Sequence, residues 1–131
     1  MLLNADKILS HVTLKRVKLD IPEWGGHVFV SEMNGTAKDQ YENSLMEKIG
    51  AEYVVSQKNL RAKLVVYSVT DSNGLRLFTD DQIPDVGKMS SSILDRIIEK
   101  SKEVGNISHQ EEEEITKKNS DTSQEDGSTL P

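Results

Sequence analysis

Asp80, Asp81 and Asp85, the tetrapeptide Asp71-Ser72-Asn73-Gly74, three histidines and one tryptophan are the residues of this chain that could do chemistry or recognition. Clustered carboxylates can hold a divalent cation or move a proton. Here Thr79-Asp80-Asp81-Gln82 also spells a helix capping box, and acids in a first helical turn are favoured by the helix dipole. A structural role therefore accounts for Asp80 and Asp81. Asp71-Ser72-Asn73-Gly74 resembles the opening of a calcium loop but lacks that loop's glycine position and terminal bidentate glutamate, so it reads as a turn. His11, His27 and His109 have no second ligand-type residue at metal-binding spacing and read as surface histidines. The chain has no cysteine, which removes disulfides, thiolate metal sites and a cysteine nucleophile. No Gly-x-Ser-x-Gly elbow, phosphate loop or Gly-x-Gly-x-x-Gly fingerprint is present. The sequence thus predicts no catalytic residue, no cofactor-binding residue, no metal site and a protein that is not an enzyme. Asn34-Gly35-Thr36 and Asn106-Ile107-Ser108 match the glycosylation triplet, which matters only in a secreted chain.

Recognition falls instead on Trp24, at the expected tip of a hairpin, where a large aromatic can anchor a partner or cover the hairpin's own apolar face. Phe29 in the same hairpin and Ile93 and Ile97 on the last helix are the other candidate partner-binding residues. Hydrophobic residues make up 35% of 131 residues, enough for one modest core. The net charge of −6 is uneven: residues 108–131 carry seven acids against two bases, and the first 107 residues are almost neutral. Such a balance predicts no nucleic-acid and no membrane partner, because phosphates are bound by Lys and Arg. No apolar run approaches the roughly 18 residues of a membrane span. The N-terminus has neither the basic start nor the long apolar stretch of a signal peptide, so the chain reads as soluble and intracellular.

The elements that would position these residues are legible in part. Asn4 predicts a cap for a short helix over 5–10, with Leu3 and Ile8 as a hydrophobic staple. Residues 14–21 alternate with period two, and His27-Val28-Phe29-Val30 follows Gly25-Gly26. A tight turn at the two glycines places Ile21 opposite Val30, Leu19 opposite Glu32 and Pro22 opposite Phe29 on an edge strand. One face is then Val17, Leu19, Ile21, Val28 and Val30. Thr36 and Asp39 suggest the start of a helix whose stripe is Ala37, Tyr41, Leu45 and Ile49, ended by Gly50. From Leu60 to Thr70, β-propensity in Val65-Val66-Tyr67 competes with the helical spacing of Leu60, Leu64 and Ser68. Ser90 to Val104 is the clearest helix, closed by Gly105. Ser108 with Glu111 opens an acidic stretch expected to be helical to about Lys118. The expected architecture is α+β: an N-terminal β-hairpin packed with about four α-helices in a single domain over 1–107, then an acidic, mostly disordered tail over 108–131.

Taken in order, Ile21-Pro22-Glu23-Trp24-Gly25-Gly26, Asn59 to Val65, Asp71 to Gly74, Leu77 to Asp81, Gly87-Lys88 and Ser91 to Ile97 resemble the tail assembly chaperones of long-tailed bacteriophages and prophages. Phe29, where the family pattern has a polar residue, and Pro84, in an expected helix, depart from it. The resemblance implies a helix at Leu60–Thr70 and a non-catalytic protein of the host bacterial cytoplasm, absent from the mature virion. It implies binding to the tape measure protein and help to the tail tube protein, with a longer frameshifted form of the chain itself as a further partner. A homo-oligomer is also expected. Lys117-Lys118-Asn119 can be encoded as a slippery run of adenines, where a reading-frame change would exchange the C-terminal stretch. Two rivals compete: a structural tail or connector subunit retained in the particle, and a small dimeric regulator, which would need a basic DNA-binding face.

Overall fold

Proline and glycine decide the shape of the N-terminal hairpin. The computed structural model describes residues 1–117. After α1 (Ala5–Leu9), capped by the Asn4 carboxamide accepting from Lys7 N at 2.9 Å, strands β1 (Arg16–Ile21) and β2 (Gly26–Ser31) pair antiparallel. Pro22, with its fixed φ, opens a 3₁₀ turn over Pro22–Trp24, and Gly25 N–H closes it on Pro22 O at 2.9 Å. The loop is therefore longer than the two-glycine turn expected, and Ile21 pairs with Gly26, Leu19 with Val28 and Val17 with Val30. The register differs from expectation by an even number of residues. For that reason Val17, Leu19, Ile21, Val28 and Val30 still share the inner face. Pro22 lies in the turn, not opposite Phe29, which pairs with Lys18.

The second expected helix is split. Asn34, not Thr36, caps α2 (Gly35–Ser44) by accepting from Ala37 N at 2.8 Å. The helix stops at Ser44, short of Ile49. Residues 46–55 form a second antiparallel hairpin of β3 (Met46–Ile49) and β4 (Glu52–Val55). Tyr53-Val54-Val55 favour the extended chain, and Gly50 takes the positive φ (64°) that the turn needs. The helical stripe keeps Ala37, Tyr41 and Leu45 but loses Ile49.

Both signals between Leu60 and Thr70 prove real. Helix α3 (Leu60–Ser68) runs directly into β5 (Val69–Thr70), which adds to β2 to give the sheet order β1-β2-β5. Asn59 precedes α3 without a side-chain cap bond. At the next connection Thr79 N donates to Gln82 Oε1 at 2.9 Å, the expected half of a capping box. Pro84 sits in the first turn of α4 (Ile83–Val86). The Asp71 carboxylate is spent on its own turn, accepting from Asn73 N and Leu75 N. Asp80 accepts from Tyr67 Oη (3.0 Å) and Arg76 Nη2 (2.7 Å), pinning the 71–80 connection to α3.

Helix α5 (Ser91–Glu103) supplies Leu94, Ile97 and Ile98 to a core shared with Val30, Leu64, Val65 and Val66. Burying each such side chain is worth about 1.5–3 kcal/mol. Its end is a Schellman motif: Asn106 N donates to Ser101 O, Gly105 N to Lys102 O, and Gly105 has φ 95°. Asn106 then enters a polar seam between sheet and helices. Its Nδ2 donates to Ser31 O (2.9 Å) and Ser101 Oγ (2.8 Å), its Oδ1 accepts from Met33 N (2.6 Å), and Ser101 bonds Ser68 Oγ (2.8 Å).

The folded body does not stop at 107. Ser108 and Glu111 cap each other's backbone N–H (3.0 and 3.1 Å), and residues 109–117 form helix α6. Ile115 is 7% exposed in the common core, and Arg61 Nη2 donates to Thr116 O at 2.7 Å. One buried apolar side chain, with Arg61 and Lys102 of the body, docks a helix whose acidic composition reads as tail. The expectations for residues 118–131, including Lys118-Asn119, lie outside the described residues.

Candidate partner-binding surface

Sequence-predicted partner residues separate into two groups. Ile97 is fully buried and Ile93 is 8% exposed, both on the inward stripe of α5, so they present almost no surface. Phe29 is half-buried on the outer face of the central strand, its ring edge-on to His27 at 5.7 Å. Trp24 is 38% exposed in the 3₁₀ turn. Beside it, Glu23 pairs with Arg96 of α5 at 2.5 Å, which fixes the hairpin tip against the helix. The Arg96 hydrogen bond also holds the Glu23 carboxyl below the usual glutamate range.

A further apolar display lies elsewhere. On the β3–β4 arm Met46, Ile49, Tyr53, Val54 and Val55 are all exposed, five of eight strand residues. Pairing sets Met46 opposite Val55 and Lys48 opposite Tyr53 on one face, with Lys48 Nζ over the Tyr53 ring at 5.9 Å. Ile49 and Val54 take the other face. The first residues of the chain add a second display: no residue of α1 is buried, and Leu2, Leu9 and Val12 are exposed. Scattered exposed apolar residues are ordinary, but a clustered display of this kind marks an interaction surface. Trp24 was found from its position next to two glycines. The arm was missed because Leu45 and Ile49 continue the helical period of Ala37 and Tyr41. The available signal was Gly50-Ala51 followed closely by the extended-prone Tyr53-Val54-Val55.

Chemistry of other kinds finds little support. Among the described residues, no group of histidine, aspartate and glutamate side chains could hold a metal ion, and no helix is long and apolar enough to cross a membrane. The Asp80 carboxyl is held below its ordinary value first by the Arg76 hydrogen bond and then by Tyr67, so it acts as a structural acceptor. Tyr67 is pushed up by burial and by the Asp80 carboxylate it donates to. Ser31, Ser68 and Ser101 are buried and hydrogen-bonded within the polar seam, with no histidine among their partners.

The fold is similar to that of the tail assembly chaperone of bacteriophage HK97, with a TM-score of 0.53 and 17% sequence identity over 78% of this chain and 94% of that one. At that identity the likeness speaks for the fold alone. No curated sequence matches. The profile of the family described as phage tail assembly chaperone matches residues 8–118, which takes in both hairpins, α2 to α5 and α6. A match over that much of the sequence, on a body with the same fold as a solved chaperone, places this chain in the phage tail assembly chaperone family.

Proposed function

We propose that this chaperone works without catalysis, by covering apolar surface on the tape measure protein and passing it on to tail tube assembly. A very long helical protein with bare apolar stripes aggregates unless it is coated. The observation that carries the reading is the β3–β4 arm, whose apolar residues are all exposed. Trp24 in the turn of the first hairpin offers a separate proposed contact, whereas Ile93 and Ile97 support the body from the core. Each contact is small, and many copies on one long client sum their affinities by multivalency. The acidic residues of 108–131 keep the coated complex apart from its neighbours by repulsion.

On this reading the protein acts in the host cytoplasm and leaves before the particle is complete. A longer form made by a reading-frame change at Lys117-Lys118-Asn119 would keep the body and exchange the C-terminal stretch. The gene sequence tests that point directly: AAG codons at Lys117 and Lys118 remove it. Co-expression with the tape measure protein tests the central claim. The client should move from the insoluble to the soluble fraction, and the chaperone should be missing from purified particles by mass spectrometry. An insoluble client, or a stoichiometric chaperone peptide signal in virions, would sink the proposal.

A further inference from the structure

Helix α6 fills its groove poorly. Ile115 is its one buried residue, and clefts of about 190 and 110 Å³ flank it, both lined by Gln57, Leu60 and Ile115. One cleft runs on to Met89 and Leu94, the other to Tyr41, Leu45 and Val55. Residues 111, 114 and 115 share a helix face, and on α6 that face carries two carboxylates beside one isoleucine. Glu111 and Glu114 thus border an apolar cleft where methyl groups would fit. The Tyr41 phenol there is pushed up first by burial and then by the Glu111 charge. Polar contacts add to the hold of Ile115: Arg61 Nη2 donates to Thr116 O at 2.7 Å, and Lys102 pairs with Glu112 at 3.0 Å. Both cations belong to the body and stay when α6 leaves.

We propose that α6 is a displaceable plug, and that its groove receives an acidic amphipathic helix of a partner protein bearing apolar residues where α6 has Glu111 and Glu114. Such a helix keeps a backbone carbonyl for Arg61 to donate to and a carboxylate for Lys102. It also fills the cleft that Glu111 and Glu114 border, so it outcompetes the plug despite the plug's tether. The arm and the groove share Val55, so docking in the groove is sensed at the base of the arm.

The probe is a fluorescein-labelled peptide copying residues 108–117 with Glu111→Leu and Glu114→Leu, titrated against the full chain by anisotropy. Ile115→Ala in the protein frees the groove and should tighten peptide binding by about tenfold. Glu114→Leu in the protein seats the plug and should weaken it by about the same factor. Arg61→Gln should weaken the peptide as well. Equal affinity for wild type and the Glu114→Leu protein, or no binding to a folded Ile115→Ala protein, overturns the proposal. Should Ile115→Ala fail to fold, hydrogen exchange of the wild-type protein decides. Amides 113–117 should exchange far faster than those at 97–101, and equal protection overturns the plug.

Discussion

Replacing Asn106 with alanine strips a buried side chain that ties three parts of the fold together. Its Nδ2 bonds Ser31 O and Ser101 Oγ, and its Oδ1 accepts from Met33 N. Alanine leaves the Met33 N–H and the Ser31 carbonyl short of a partner at a site only 3% exposed. Each buried polar group left unsatisfied costs about 1–3 kcal/mol, so the loss should be roughly 3–5 kcal/mol. That is a large share of the roughly 5–15 kcal/mol that holds a domain of this size together. Ser101→Ala is the graded comparison: it removes one hydroxyl and should cost about 1 kcal/mol. In urea denaturation followed by circular dichroism, a slope of about 1.5–2 kcal/mol/M puts the Asn106→Ala midpoint about 2 M below wild type. The slope itself should not change. An Asn106→Ala midpoint no lower than that of Ser101→Ala would refute the view that this asparagine is the centre of the seam.

Three other outcomes are expected. Ile49→Ser with Tyr53→Ser on the arm should leave stability within about 0.5 kcal/mol of wild type, because both residues are exposed, yet weaken capture of the tape measure protein by about tenfold or more. Undiminished pull-down by the double variant would move the contact elsewhere. Gly105→Ala forces a side chain into φ 95° at the end of α5 and should lower stability by more than about 1 kcal/mol, read as a drop in Tm; an unchanged Tm rules out the strain. Asp80 has a folded pKa below its unfolded one, set first by the Arg76 hydrogen bond. Its contribution is therefore present above the unfolded pKa and is lost as pH falls through the folded value. Asp80→Asn should flatten the decline of the urea midpoint below about pH 4, and an unaltered decline would assign that acid sensitivity to other carboxylates.

Elements were legible where one signal acted alone. Asn4 capping α1, the Ser90–Val104 stripe with Gly105 behind it, and the Ser108–Glu111 pair all read directly from side-chain type and spacing. Misreadings arose where two signals competed. Leu45 and Ile49 fit a helical period, but cross-strand pairing with Glu52 to Val55 recruits residues 46–49, and Gly50 serves as the turn of that hairpin where a helix end was the other reading. The hairpin register was set by Pro22 and not by the glycine pair, while the even shift spared the inner face. Trp24 stood out by type, but the arm's apolar residues resemble core residues in composition. Only the fold separates the Val54 that faces solvent from the Val65 that does not.

Three of the four residue pairs along the β3–β4 ribbon set one charged residue against one apolar one: Glu47 with Val54, Lys48 with Tyr53, and Glu52 with Ile49. Whatever lies down on this ribbon to take up the apolar member must also dehydrate the ion across from it. That puts a ceiling on the grip of any single copy, and it discourages two free ribbons from zipping together edge to edge. On the proposed function, letting go would then require only a rival for the client that does not have to strip water from an ion at every second step.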